Sequence, residues 1–201
     1  MDLSKHLTAS QILTNRTPRD KWELIDEMAE ALMRHPVCRE QDEDVQLRIA
    51  ATIRERERGM STGIGHGLAF PHGRVPGFRG FAVCVATLAE PLEYGSPDNL
   101  PVRIACMVVT SENNPTIALR VMGVLSRLLA NSDTRTFFLS TDSGQALYDF
   151  IIRKKIDLDI SVTARDIMRP PVAAVTPSTP LREVTYMMME NRLEAVPVVD
   201  E

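Results

Sequence analysis

Residues 104–109 read Ile-Ala-Cys-Met-Val-Val, an unbroken apolar run with no polar face to turn to water. A run of this kind fits a central strand buried on both faces, the situation of sheets flanked by helices. The neighbouring segments supply those helices. Over 17–35, Thr17 suits an N-cap and Pro18 the first helical position, while Asp20 and Glu23 complement the dipole. Ile25, Met28, Ala29 and Leu32 then recur at helical spacing until His35-Pro36. Residues 42–58 repeat the pattern with Val45, Ile49 and Ile53 on one face. Asp42, Glu43 and Asp44 before that helix are explained by its dipole, and the closing run Arg54-Glu55-Arg56-Glu57-Arg58 reads as a solvated face with cations at the negative pole. Phe81, Val83 and Val85 alternate with small residues as a strand does, and residues 92–101 are rich in turn formers. Pro115 opens a third helix with Ile117, Val121, Leu125 and Leu128 inward, and shorter helices are expected over 133–139 and 144–154. Helices alternating with strands predict an α/β domain over residues 1–155, with a mixed, mostly parallel central sheet flanked by helices.

A chain of 201 residues accommodates one such domain and a small appendage. No stretch approaches the roughly 20 apolar residues that span a membrane, and the N-terminal MDLSKHLTAS lacks the apolar centre of a signal peptide. Cys38, Cys84 and Cys106 are odd in number and form no CxxC pair, as expected of reduced thiols in a cytoplasmic protein. A net charge of -4 gives no basic surface for nucleic acid. His6 and His35 are expected at the surface, and Trp22 in the core.

Chemistry concentrates in residues 54–74, RERERGM followed by STGIGHGLAFPHGR. Gly59, Gly63, Gly65, Gly67 and Gly73 suggest a tight loop feeding the apolar run Leu68-Ala69-Phe70, and His72 follows that run. A histidine that carries a phosphoryl group needs one ring nitrogen free and the other held by a hydrogen bond that fixes the tautomer. It also needs donors or cations for the phosphoryl oxygens, because transfer is largely positioning and charge stabilisation. Pro71 restricts the backbone before His72, Gly73 leaves room for approach, and Arg56, Arg58 and Arg74 could supply charge. Gly63, Gly65 and Gly67 would let backbone N–H groups turn to an anion. On residue chemistry alone, a loop histidine is open to either a structural or a functional reading.

The segment resembles the active-site region of enzyme IIA domains of the phosphotransferase system, of the fructose/mannitol type and its nitrogen-regulatory branch. The resemblance rests on Arg56, Ser61-Thr62-Gly63, Gly65-His66-Gly67 and Pro71-His72-Gly73, and it extends over residues 1–155. It implies that His72 accepts phosphate from the phosphohistidine of an HPr-like carrier, that Arg56 stabilises it, and that Ser61, Thr62, Gly63, Gly65, Gly67 and Gly73 form a phosphate loop. Relatives carry a second histidine on the third helix, whereas this chain has none after His72; its place falls near Leu119. Losing such a partner removes about 1–3 kcal/mol of stabilisation. His66 could substitute as an auxiliary if its loop folded back, although a surface loop position is the simpler reading. A metal site from His66 and His72 is not expected, since no cysteine or carboxylate stands at ligand spacing.

Residues 156–162 fall in a linker, RKKIDLDI marking the change at 153–160. Residues 163–201 resemble the first half of a CBS domain, through Asp166-Ile167-Met168, Pro177, Pro180-Leu181 and Val196-Pro197-Val198-Val199-Asp200. A turn capped by Thr163 and broken by Pro170-Pro171, a strand over 172–175, a helix over 180–192 with Leu181, Val184 and Met188 inward, and a strand over 195–199 make a small, incomplete α+β tail. An adenine nucleotide is expected only with a complete CBS domain, so no cofactor is assigned, and Met187-Met188-Met189 suits packing. Its open sheet edge predicts pairing, for example as a homodimer. Two functions follow: phosphotransfer at His72 in a regulatory role more than in sugar uptake, or a non-catalytic module that docks a regulatory protein target, with the CBS segment as sensor or dimer handle.

Overall fold

The computed structural model describes residues 3, 6–154, 174–191, 193 and 195–200. The chain divides into two units, Met1–Val162 and Thr163–Glu201, each described by itself. The first unit contains strands β1 (Ile12–Arg16), β2 (Gly63–Gly65), β3 (Leu68–Ala69), β4 (His72–Val75), β5 (Phe81–Leu92) and β6 (Val102–Ser111). Its helices are α1 (Lys21–Leu32), α2 (Pro36–Arg39), α3 (Glu43–Gly59), α4 (Pro115–Ala130), α5 (Ser132–Ser140) and α6 (Gly144–Arg153). The sheet order is β1-β5-β6-β3-β2, with β4 also paired to β6. β1 lies parallel to β5, and β3 and β4 lie parallel to β6, while β5–β6 and β2–β3 are antiparallel. This is the mixed, mostly parallel sheet that the pattern of helices and strands predicts.

The apolar run is buried because β6 is covered on both faces. Ala105, Met107 and Val109 join Ala82, Cys84 and Ala86 of β5 in a core completed by Leu24, Ile25 and Met28 of α1 and Val45, Ile49 and Ile53 of α3. Ile104, Cys106 and Val108 join Phe81, Val83 and Val85 in a second core with Val121 and Leu125 of α4, Phe138 of α5 and Leu147 and Ile151 of α6. The alternation of successive residues between two faces is the period of a strand. All three cysteines are free and buried.

Several boundaries differ from the sequence reading. α1 starts at Lys21, because Asp20 caps it by accepting from the backbone N–H of Trp22 and Glu23; a carboxylate satisfies two orphan donors where Thr17 satisfies none. His35 does not end a helix in solvent. It precedes α2, accepts the Val37 N–H on Nδ1 at 3.2 Å and is buried. His6 is half-buried and stacks on Phe81 with ring centroids 3.8 Å apart. Trp22 is also half-buried, against the first core. β1 had no signal of its own: it is short, breaks register with β5 after Leu13, and holds Asn15 at φ 51°. The expected loop over 59–73 contains a small hairpin, β2–β3, whose tip is Gly65-His66-Gly67.

In the second unit, helix α7 (Leu181–Glu190) is present, and Val175 and Val198 form a parallel bridge. Leu181, expected inward, is 82% exposed, whereas Val184 and Met188 are half-buried. The readings for 156–162, Thr163, Asp166, Ile167, Met168, Pro170 and Pro171 lie outside the described residues, as do residues 172–173 of the expected first strand, Arg192 and Glu201. Among the described residues, no helix is long and apolar enough to cross a membrane.

Leu125 of α4 is 1% exposed, packed in the second core. Leu125→Ala is expected to lower stability by about 2–5 kcal/mol, the cost of a buried cavity, read as a reduced midpoint in chemical denaturation of the full chain.

Candidate active site

β3 and β4 lie in series along the same edge of β6. Leu68 faces Ile104 and Ala69 faces Ala105; the pairing resumes with His72 opposite Val108. Between them stand Phe70 and Pro71, the latter without an N–H to donate. The register crosses them without a shift, and the ladder there lacks the Pro71 donor. The Phe70 N–H donates to the Thr62 carbonyl at 2.9 Å, and the Pro71 carbonyl accepts from the Val108 N–H at 3.0 Å. His72 thus opens a strand, where the sequence suggested the end of one.

The interruption gives the histidine its first partner. His72 Nδ1 lies 2.8 Å from the Phe70 carbonyl oxygen. A carbonyl only accepts, so Nδ1 carries the hydrogen and Nε2 carries the lone pair. Nε2 in turn meets the Arg56 Nε–H at 3.2 Å. Arg56 is fixed from its other end by donating from Nη1 to the Met60 carbonyl at 2.9 Å. Burial, the largest influence, holds the His72 pKa below its ordinary value; the Phe70 carbonyl opposes it, Arg56 and Arg74 add to it, and Glu57 opposes it. The ring is therefore held neutral, with the proton on Nδ1 and the lone pair on Nε2.

Gly73 explains how a helical arginine reaches a strand histidine. A Cβ built there would stand 3.0 Å from Ile53 Cγ1 and 3.4 Å from the Ile53 backbone nitrogen. The missing side chain admits α3 to the strand, rather than clearing the path of an approaching partner. Arg74, two residues beyond His72, is exposed and shares its face of the strand.

The other predicted site residues have different employment. Ser61 donates to the Tyr94 carbonyl at 3.0 Å and accepts the Gly63 N–H at 3.3 Å. Thr62 gives both its backbone N–H, at 3.0 Å, and its hydroxyl to Glu57 Oε2. Gly63 sits where a Cβ would meet Ser96 Oγ at 2.5 Å. Gly65, His66 and Gly67 all have positive φ, at 91°, 56° and 75°, as the hairpin tip requires. The one anion that their N–H groups turn to is internal, with His66 N donating to Asp98 Oδ2 at 2.7 Å. These residues build the support of the site and do not form an open phosphate cradle.

His66 does not fold back. From Leu68 to His72 the register advances four residues along β6, about 13 Å of extended chain, and His66 precedes Leu68. Arg58 stands over the Trp22 ring at 5.8 Å. Leu119, near the expected place of a second histidine, is 56% exposed on α4. Among the described residues, the groups hydrogen-bonded to the His72 ring are the Phe70 carbonyl and Arg56.

The sequence reading missed Lys21, Glu57, Phe70 and Tyr94. Glu57 carries no exposed side-chain surface and binds Lys21 Nζ through Oε1 at 3.0 Å. Lys21 Nζ also reaches the Tyr94 carbonyl at 3.4 Å, and burial raises the Tyr94 pKa. A signal for Glu57 did exist: it continues the Val45, Ile49, Ile53 spacing by four, which puts it on the buried face of α3.

Comparisons with known proteins bear on the same region. Residues 5–154 match the family model described as phosphoenolpyruvate-dependent sugar phosphotransferase system, EIIA 2, and residues 164–201 match that of the CBS domain. A PTS system fructose-specific EIIABC component of Bacillus subtilis is 27% identical over 75% of this chain, which spans only 23% of that protein's length. A nitrogen regulatory protein of Pseudomonas aeruginosa is 26% identical over 75% of this chain and 94% of its own length. The crystal structure of the nitrogen regulatory protein IIA-Ntr from Neisseria meningitidis superposes with a TM-score of 0.59 at 22% identity, covering 74% of this chain and 98% of that one, a likeness of fold.

Burial depresses the His35 pKa as well as that of His72. Their neutral forms are favoured in the folded state, so their contribution to stability is present above the ordinary histidine value of about 6.5 and is lost as pH falls through it towards the folded values. In an NMR titration the His72 ring is expected to have its midpoint below about 6.5. Arg56→Ala should raise that midpoint without restoring the ordinary value, because burial is the larger cause. A wild-type midpoint above the ordinary value would contradict the neutral ring.

Proposed function

Because the chain belongs to the phosphoenolpyruvate-dependent sugar phosphotransferase system EIIA 2 family, we propose that it takes a phosphoryl group onto Nε2 of His72 from the phosphohistidine of an HPr-like carrier. The observation that carries this reading is the two-sided hold on the imidazole, with Nδ1–H on the Phe70 carbonyl and Nε2 towards Arg56. In the transfer, the Nε2 lone pair attacks phosphorus while the donor's P–N bond breaks and its nitrogen leaves with the electron pair. Nδ1 keeps its proton, and the Phe70 carbonyl offsets the positive charge that the ring acquires. Arg56 exchanges its bond to Nε2 for the phosphoryl oxygens, a task suited to a guanidinium with several fixed donors.

The role is regulatory more than sugar uptake. Supporting this, the chain spans nearly all of the Pseudomonas nitrogen regulatory protein and a small part of the fructose component. A CBS-type segment at residues 164–201 follows the phosphotransfer domain of residues 1–155, across a linker at 156–162. The setting is the cytoplasm, in keeping with three buried free thiols.

A second reading is a docking module that transfers no phosphate and binds a regulatory target. The exposed Leu119 favours it, since an apolar side chain there suits contact with a protein and gives nothing to a phosphoryl group. In that reading the CBS segment serves as a homodimer handle, its α7 side chains Tyr186 and Met189 being exposed, or as an adenine-nucleotide sensor once a complete CBS region is present.

Incubation of the full chain with phosphoenolpyruvate, enzyme I and the carrier should add the mass of one phosphoryl group. His72→Ala should abolish the gain, and Arg56→Ala should slow it about 10²-fold, the usual cost of one charge-stabilising group. An unchanged mass in the wild type would sink the transfer reading and leave docking. Calorimetry with AMP, ATP and S-adenosylmethionine on a longer chain with a complete CBS region tests the sensor; absence of heat from all three would exclude it.

A further inference from the structure

A continuous line of hydrogen bonds joins a buried carboxylate to the far side of the His72 ring. Glu57 Oε2 accepts the Thr62 N–H at 3.0 Å and also binds the Thr62 hydroxyl. The Thr62 carbonyl accepts the Phe70 N–H at 2.9 Å. The Phe70 carbonyl faces His72 Nδ1 at 2.8 Å. On the other side of the ring, Arg56 is the chain neighbour of Glu57 in the last turn of α3, and its Nε reaches Nε2 at 3.2 Å. One side chain therefore stands at the root of both contacts that orient the imidazole.

Glu57 is held as firmly as it holds. Lys21 Nζ from α1 meets Oε1 at 3.0 Å, with Glu57 side-chain exposure at 0% and that of Lys21 at 23%. Lys21 and Ser61 both donate to the Tyr94 carbonyl, at 3.4 and 3.0 Å. Three segments of chain, at Lys21, Ser61-Thr62 and Tyr94, thus converge on the end of α3. A buried carboxylate is costly unless it is paired and its lone pairs are met, and here both oxygens are occupied.

We propose that Glu57 is a positioning residue for phosphoryl transfer at His72, setting the ring through Thr62 and Phe70 on the Nδ1 side and through Arg56 on the Nε2 side. The inference rests on His72 being the acceptor. The effect is geometric: the N–H and C=O of Thr62, and likewise those of Phe70, belong to different peptide groups, so the line does not conjugate charge from the carboxylate to the ring. What it fixes is where the Phe70 carbonyl stands, hence which nitrogen keeps the proton and which presents its lone pair. Lys21 holds the carboxylate in place, and Tyr94 walls the cluster.

The test uses the full chain. Glu57→Gln keeps the shape but offers one acceptor oxygen where two are in use, so either Lys21 or Thr62 loses its partner. Expected results are a mixed tautomer for His72 by ¹⁵N NMR, a lower titration midpoint as the negative charge is lost, and about a tenfold fall in the transfer rate at saturating carrier, typical of a supporting residue. The carrier KM should stay within about twofold, since Glu57 is buried away from any partner. A purely structural role would lower the melting temperature and leave the tautomer and the saturated rate unchanged, which overturns the proposal. Should Glu57→Gln fail to fold, Thr62→Val removes the hydroxyl at constant volume and must move the tautomer in the same direction; no change there also overturns it. If the wild type accepts no phosphate, the acceptor reading of His72 fails, and the tautomer measurement still decides whether Glu57 positions the ring.

Discussion

A strand that is apolar on both faces has to be covered twice, and much of this molecule follows from covering β6. One face takes α1 and α3, the other α4, α5 and α6. Its two edges take β5 along one side and the short strands β3 and β4, end to end, along the other. The candidate histidine, His72, sits at the joint between those two short strands. The joint exists because Pro71 cannot donate to the ladder and the Phe70 N–H turns to Thr62. A structural requirement of burial thereby sets up a chemical one: a backbone carbonyl in reach of an imidazole.

The architecture was legible in the sequence where periodicity was strong. The α3 stripe of Val45, Ile49 and Ile53, the apolar run of β6 and the proline that opens α4 each located an element correctly. β1 escaped because its order comes from pairing with β5, a tertiary contact with no local signature. The start of α1 moved from Thr17 to Asp20 because both are capable caps, and only the backbone decides which one faces the first N–H groups. Leu181 pointed to a buried position by spacing, yet it lies in the exposed first turn of α7.

The site was legible as a pair and illegible as a network. The motif identified His72 and Arg56, and the structure brings them within hydrogen-bond distance. Ser61, Thr62 and the glycines invite reading as ligands of an outside anion, whereas Thr62 and the His66 N–H bind Glu57 and Asp98 of the chain itself and Ser61 binds the Tyr94 carbonyl. Residue type could not separate those cases, because a backbone N–H turns to a carboxylate as readily as to a phosphate. Glu57 lay hidden in a run of alternating charges, where composition suggests solvent. Its place on the apolar stripe was the stronger clue.

The register that seats His72 also makes the site intolerant of length change. β3 and β4 are both keyed to β6, so one residue added or removed at Phe70–Pro71 would exchange inward and outward positions and turn the imidazole to the opposite side of the sheet. The hairpin tip is keyed as well, since Gly65 pairs with Leu68 and the Gly67 carbonyl accepts from the Arg103 and Ile104 N–H groups at 2.9 and 3.1 Å. The stretch from Leu68 to Gly73 is thereby held to a fixed count as strictly as to its composition.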